Sequence, residues 1–171
     1  ALQYDDLRAA NVRVEKTTAG VATGIGIGAP QQAADPRDIS MDLSNIHIVG
    51  QGFYTGLEIS GTKSATNPVR HVHVSGVNVQ SIGADPIIYG LRVMGNVQGC
   101  SIAHAHVRDC TTNIAMVNAL IDSKNYSPTK MVITDVHSEE ILAVGGESTY
   151  GWNLGYGSGL LIGCTSERME G

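Results

Sequence analysis

A short alternating apolar segment returns along this chain about every 30 residues. A period of that length belongs to repeat architectures, whose units bury their apolar faces only against one another. The openings are Met41-Asp42-Leu43, Val72-His73-Val74, Cys100-Ser101-Ile102, Met131-Val132-Ile133 and Leu160-Leu161-Ile162, spaced 31, 28, 31 and 29 residues apart. The first three continue in step as Ile46-His47-Ile48, Val77-Asn78-Val79 and Ala105-His106-Val107; the fourth gives Val136-His137-Ser138 and the fifth Thr165-Ser166-Glu167. A second strand-like segment follows in four coils: Gly56-Leu57-Glu58-Ile59, Gly90-Leu91-Arg92-Val93, Asn113-Ile114-Ala115-Met116 and Gly151-Trp152-Asn153-Leu154. Strands this short, with no helical pattern between them, read as a parallel β-helix. Alternation sends Met41, Leu43, Ile46 and Ile48 to one face and Asp42 and His47 to the other. Ser44-Asn45, Ser75-Gly76, Ala103-His104 and Thr134-Asp135 are the expected corners, because Ser and Asn side chains satisfy turn backbone groups. Gly50, Gly61, Gly83, Gly95 and Gly163 are expected to supply backbone freedom at corners.

Length and charge narrow the classes. The 171 residues suit one domain, divided here into an N-terminal cap with an irregular first coil (1–38) and the coils proper (39–171). The net charge of −5 and the scatter of the 11 basic residues argue against a nucleic-acid partner. No apolar run reaches the ~18 residues of a membrane span, and the N-terminus has no secretory pattern. Cys100, Cys110 and Cys164 cannot all pair and show no zinc-finger spacing, so they read as structural free thiols of a chain assembled in a reducing cytoplasm. The run Gly24-Ile25-Gly26-Ile27-Gly28 lacks the Lys-Ser/Thr and the helix of a phosphate loop; it reads as a glycine-eased strand or turn. No cofactor is expected.

Tyr4-Asp5-Asp6-Leu7-Arg8-Ala9-Ala10 reads as about two helical turns capping the first coil, with acidic residues at its N-terminus. The same opener resembles the segment that begins the β-helical region of many bacteriophage tailspike and tail-fibre proteins. The units Gly56-Leu57-Glu58-Ile59-Ser60-Gly61 and Gly90-Leu91-Arg92-Val93-Met94-Gly95 resemble coils of the pectate-lyase-like tailspikes. The fold expected with this resemblance is all-β, a single-stranded right-handed parallel β-helix of about five coils with a short N-terminal helical cap. The resemblance also implies a homotrimeric adhesin of the virion tail, assembled in the host bacterial cytoplasm beside other tail proteins and attaching to a host surface polysaccharide. Many relatives also cleave the polysaccharide, and no catalytic motif of the family is matched here. The chain is much shorter than a full spike, which suits a fragment, a processed product or a small spike within a larger fibre.

Three functions follow from these readings: a polysaccharide-binding adhesin, a polysaccharide hydrolase or lyase, and a shaft without ligand. The adhesin is preferred. Its candidate ligand-binding residues are the outward ladder His47, Asn78, His106 and His137, with Ser166 in the fifth coil, and the aromatic residues Tyr54, Tyr89, Tyr150 and Tyr156. Phe53, Tyr54 and Tyr89 are placed in loops, and loops carry contacts on rigid scaffolds. Trp152 aligns with Leu57, Leu91 and Ile114 and is expected to be core. Glycoside cleavage needs two carboxyl groups roughly 5–10 Å apart, which makes Asp109, Glu139 and Glu140 the catalytic candidates. Glu58 and Arg92 share an outward register and form a candidate cross-rung ion pair. Metal binding is discounted, because the adjacent His106 and His137 without a carboxylate make a weak ligand set.

Overall fold

The computed structural model describes residues 6–18, 20–28, 40–61, 66, 68–141 and 150–167, with only the backbone of 6, 7, 140 and 141. Fourteen strands follow in order: β1 (Asp6–Lys16), β2 (Ala22–Gly28), β3 (Ser40–Gly50), β4 (Phe53–Gly61), β5 (Val72–Ser81), β6 (Tyr89–Gly95), β7 (Ser101–Cys110), β8 (Thr112–Val117), β9 (Ala119–Ile121), β10 (Lys124–Tyr126), β11 (Met131–Ile141), β12 (Tyr150–Asn153), β13 (Gly159–Ile162) and β14 (Thr165–Glu167). The long odd-numbered strands stack as β1-β3-β5-β7-β11-β13, with β14 also on β11; the shorter strands stack as β2-β4-β6-β8-β12. All these pairings are parallel. The chain therefore winds as a parallel β-solenoid of about four turns.

Each long strand is two flat sides joined by a corner. The corner residue adopts a left-handed conformation in every rung: Asn11 (φ 58°), Asn45 (52°), Gly76 (62°), His104 (53°), Asp135 (49°) and Gly163 (64°). These are the residue types that tolerate positive φ best, and the corners expected at Asn45, Gly76, His104 and Asp135 are all present. Side chains on this ladder bond between rungs, Asn45 Nδ2 donating to Asn11 Oδ1 at 2.6 Å and His104 Nδ1 lying 3.5 Å from Asp135 Oδ2. A second left-handed ladder, His71, Gly99 and Lys130, marks the entry to β5, β7 and β11.

The interior is filled by columns of like residues, one per rung. Ile46 pairs with Val77, Val77 with Ala105 and Ala105 with Val136; Ile48, Val79 and Val107 stack beside them. From the other sheet come Ile25, Leu57, Leu91 and Ile114, then Ile27, Ile59, Val93 and Met116. Trp152 continues the first of these columns and packs against the core, as its alignment indicated. Cys100 and Cys110 are free and buried, and Cys164 is free and packed at the core edge. Burial pushes the thiols of Cys100 and Cys110 up, so they stay protonated.

Three expectations need correcting, and one feature was not anticipated. Asp6–Ala10 are strand, not helix: β1 pairs residue by residue with β3 from Asp6↔Ser40 onward, and stacking on an existing rung outweighs a two-turn helix that would be marginal alone. Tyr4 and Asp5 of that segment, and the boundary near residue 38, lie outside the described residues. The last rung is offset by one: Met131 faces Gly159 and Ile133 faces Leu161, so the true spacing is 28 and Leu160 sits on the outward row opposite Val132. Phe53 and Tyr54 open β4 and Tyr89 opens β6, so all three are strand and not loop residues, and Phe53 is buried. An antiparallel hairpin of β9 and β10, turned by the left-handed pair Asp122-Ser123, interrupts the coil after β8; positive φ at both central residues is the signature of a type I′ turn.

Candidate functional site

Because successive rungs repeat the same outward positions, side chains distant in sequence are brought about 4.8 Å apart. Two polar clusters result, one on each sheet.

On the long-strand sheet one outward row runs Arg13, His47, Asn78, His106, His137 and Thr165. Four of the five expected ladder members are therefore aligned; the one-residue offset of the last rung replaces Ser166 by Thr165 and turns Ser166 toward the row of the buried Ser138. His47 Nδ1 is shielded and has no hydrogen-bond partner among the described residues. The rings of His106 and His137 lie 5.1 Å apart, centre to centre. The next outward row is Gln80, Arg108, Glu139 and Glu167. Glu139 reaches across to the histidine row, its Oε2 lying 2.8 Å from His106 Nε2, while Arg108 Nη2 donates to Gln80 Oε1 at 2.8 Å. His137 Nδ1 is bonded to Thr165 Oγ1 at 2.5 Å. The hydrogen bond from His106 holds the Glu139 carboxyl below the usual carboxylate range; the charges of His106, His137 and Arg108 act in the same direction and partial desolvation opposes them.

His106, His137 and Glu139 each present a ligand atom within 4.8 Å of the others. The carboxylate whose absence argued against metal binding is thus supplied by the neighbouring row. The sequence carried the signal, since Glu139 lies two residues after His137 and keeps its outward parity. What it did not show is the lean of the side chain from one row to the next.

Of the other catalytic candidates, Asp109 occupies a left-handed position (φ 60°) at the end of β7. Glu140 lies on β11 between Glu139, paired with Arg108, and Ile141, paired with Cys110; its side chain is outside the described residues.

The second cluster lies on the short-strand sheet. Tyr54 and Tyr89 meet edge to face, ring centroids 5.5 Å apart, and the Arg92 guanidinium lies 5.2 Å from the first ring and 5.0 Å from the second. Arg92 Nη1 is 3.6 Å from Glu58 Oε2, so the cross-rung ion pair forms as its register indicated. Thr55 Oγ1 donates to the same carboxylate oxygen at 3.4 Å. Tyr54 is 39% exposed, which leaves part of its ring open to a ligand. Sequence reading had the Tyr pair and the Glu58–Arg92 pair as separate features. They coincide because Gly56 and Gly90 face the core in front of Val79 and Val107, breaking strict alternation just before Leu57 and Leu91. Tyr89 and Arg92, three residues apart, are thereby brought into contact.

Tyr150 and Tyr156 are exposed, at the start of β12 and in the turn after it. No protein-family model, curated protein or solved structure matches this chain. What the fold and its clusters define is a class: a parallel β-solenoid bearing a cation–aromatic cluster on one sheet and a histidine–carboxylate cluster on another.

Proposed function

We propose that this chain is a carbohydrate-binding β-solenoid of the tailspike kind, a virion adhesin that works as a homotrimer and grips a host surface polysaccharide at the Tyr54–Tyr89–Arg92–Glu58 cluster. The observation that carries this reading is the convergence of two tyrosines, a guanidinium and a carboxylate on the outward face of the short-strand sheet. Part of the Tyr54 ring is exposed there, and the Arg92 and Glu58 side chains, 11% and 18% exposed, are reached only at their edges. Aromatic rings offer apolar faces to the C–H side of a sugar. Arginine and carboxylate groups fix hydroxyls by charge-assisted hydrogen bonds, which are roughly twice as strong as neutral ones. Here Arg92 and Glu58 are already oriented by each other and by both rings, so little ordering remains to be done on binding. The trimer and the virion rest on the resemblance of the coil units to tailspike coils.

The test is retention of bacterial capsular and O-antigen polysaccharides by the immobilised protein, with reducing ends assayed in parallel. The wild type is expected to retain at least one polysaccharide without releasing reducing ends, and Tyr54→Ala and Tyr89→Ala are expected to weaken retention at least tenfold, a loss of about 1.4 kcal/mol. Retention unaffected by both substitutions would move the site elsewhere. Release of reducing ends would make the chain a depolymerase and send mutagenesis to Asp109, Glu139 and Glu140. A folded protein that binds no member of the panel would favour the shaft.

A further inference from the structure

We infer that His106, His137 and Glu139 form a binding site for a divalent transition-metal ion of the zinc type, with one ligand atom from each residue and a fourth position open to solvent. Two imidazoles and a carboxylate are a donor set that suits zinc and its neighbours; calcium and magnesium prefer all-oxygen sites. In tetrahedral zinc sites with bonds of about 2.0–2.1 Å, ligand atoms stand about 3.3 Å apart. The three donors here already lie within 4.8 Å of one another, so small side-chain rotations on a half-exposed surface close the remaining distance.

The surroundings favour the same conclusion. His137 has its Nδ1 engaged by Thr165, which leaves Nε2 as the ligand atom and fixes the ring, the usual arrangement around a metal-bound histidine. Arg108, the cation facing Glu139 from β7, has its Nη2 engaged by Gln80 Oε1 of β5, and its charge, which favours the Glu139 carboxylate, is one that a bound cation would have to tolerate. Glu167 of β14 faces Glu139 from the other side and adds negative charge. The backbone supplies pre-organisation, since all three donors stand on paired strands β7 and β11.

Metal binding replaces the hydrogen bond between His106 and Glu139. The proton now on His106 Nε2 moves to Nδ1 or is released, and both Nε2 and Oε2 turn lone pairs to the ion. Protons therefore compete with the metal. The residues facing the donors are Asn78 and Gln80 on β5, Arg108 on β7, and Thr165 and Glu167 on β14.

The experiment is equilibrium dialysis of the full chain against zinc chloride alone, with Co2+ as an optical probe of imidazole ligation. One zinc per chain is expected, accompanied by a rise in melting temperature that calcium and magnesium do not reproduce. Glu139→Gln should weaken zinc binding at least about tenfold and His137→Gln at least as much, with far-ultraviolet circular dichroism of the apo variants unchanged. Cys164→Ser should leave it intact. His106→Gln provides the independent variant if either of the first two fails to fold. A wild type that retains no stoichiometric zinc overturns the inference. So does zinc binding that survives all three donor substitutions, or that is lost in Cys164→Ser.

Discussion

Asn113 and Ser138 show how a single position is rewritten without disturbing the coil. Where two sheets come closest, the short strand carries glycine facing a branched aliphatic residue. An added Cβ at Gly24 would lie 3.3 Å from Ile48 and one at Gly56 2.9 Å from Val79, with Gly90 tighter still against Val107. One rung on, the glycine is replaced by Asn113 and the aliphatic residue by Ser138, and both are buried. Asn113 Nδ2 donates to Ser138 Oγ at 2.8 Å and to the Glu139 carbonyl at 3.2 Å, while its Oδ1 accepts from the Cys110 amide at 3.2 Å. The amide thus fills the space that the smaller Ser138 leaves and ties β7 to β11 and β8. Ser138→Ala leaves a buried donor short of a partner and is expected to cost about 1–3 kcal/mol in chemical denaturation. Glu139 on the same strand gives a pH-dependent prediction. Its folded-state pKa lies below the unfolded value, so its stabilising contribution is complete above the usual carboxylate range and is lost as pH falls through that range toward the folded value. Glu139→Gln should therefore be less stable than wild type at pH 7, and the gap should narrow as pH falls through the carboxylate range when melting curves are compared. A gap independent of pH would show that the residue stabilises by packing alone.

At the scale of the element, the unit is a bent strand: a flat side, one left-handed residue, a second flat side. Much of this was legible because period-2 alternation holds on each flat side and shifts by one residue at the corner. Leu43 and Ile46, three apart, both face inward, and the residues between them, Ser44-Asn45, are of a kind that turns. Every second-strand alignment also holds, from Leu57 through Leu91 and Ile114 to Trp152. The helix assigned to the N-terminal segment misreads a strand because Asp6-Leu7-Arg8-Ala9-Ala10 has helical propensity that the pairing with β3 overrides. The one-residue offset at Gly159–Ile162 escaped because the apolar run Leu160-Leu161-Ile162 fits either parity, and a slip of one exchanges the two faces. The histidine–carboxylate cluster was half legible: the row was readable, the crossing of Glu139 between rows was not. The glycines at the closest approach make a prediction at this scale. Gly90→Ala drives a methyl group into Val107 and the Asn113 carbonyl and should cost about 1–3 kcal/mol by overpacking. Combining it with Val107→Ala should recover part of the loss, as read by denaturant midpoint. No recovery would place the strain in the backbone contact with Asn113.

For the whole molecule, each rung is stabilised by two neighbours except at the ends, so stability should depend on position along the coil and not on residue type alone. The burial gradient follows this. Ile46, Ile48, Val79 and Val107 are fully enclosed, and Ile133 is 2% exposed, whereas Leu161, the inward residue facing Ile133 from β13, is 41% exposed. Leu91, in the middle of the short-strand sheet, is 1% exposed and flanked by Leu57 and Ile114. Ile25 occupies the same column at the outermost rung and is only partly buried. Leu91→Ala should therefore cost about 2–5 kcal/mol through lost contact and the cavity left behind, and Ile25→Ala distinctly less. Urea denaturation decides it. If the coil unfolds as one unit, both variants lower the midpoint at unchanged m, because m reports the surface exposed on unfolding. If the outer rungs open first, Ile25→Ala instead shortens amide-exchange protection in β1 and β2 while β5 to β8 keep theirs. A loss at Ile25 as large as that at Leu91 would mean that the outer rung is covered in solution, by a second copy stacked on it or by another partner. Dilution over a hundredfold range separates these outcomes, since only a self-covered end loses stability as the concentration falls.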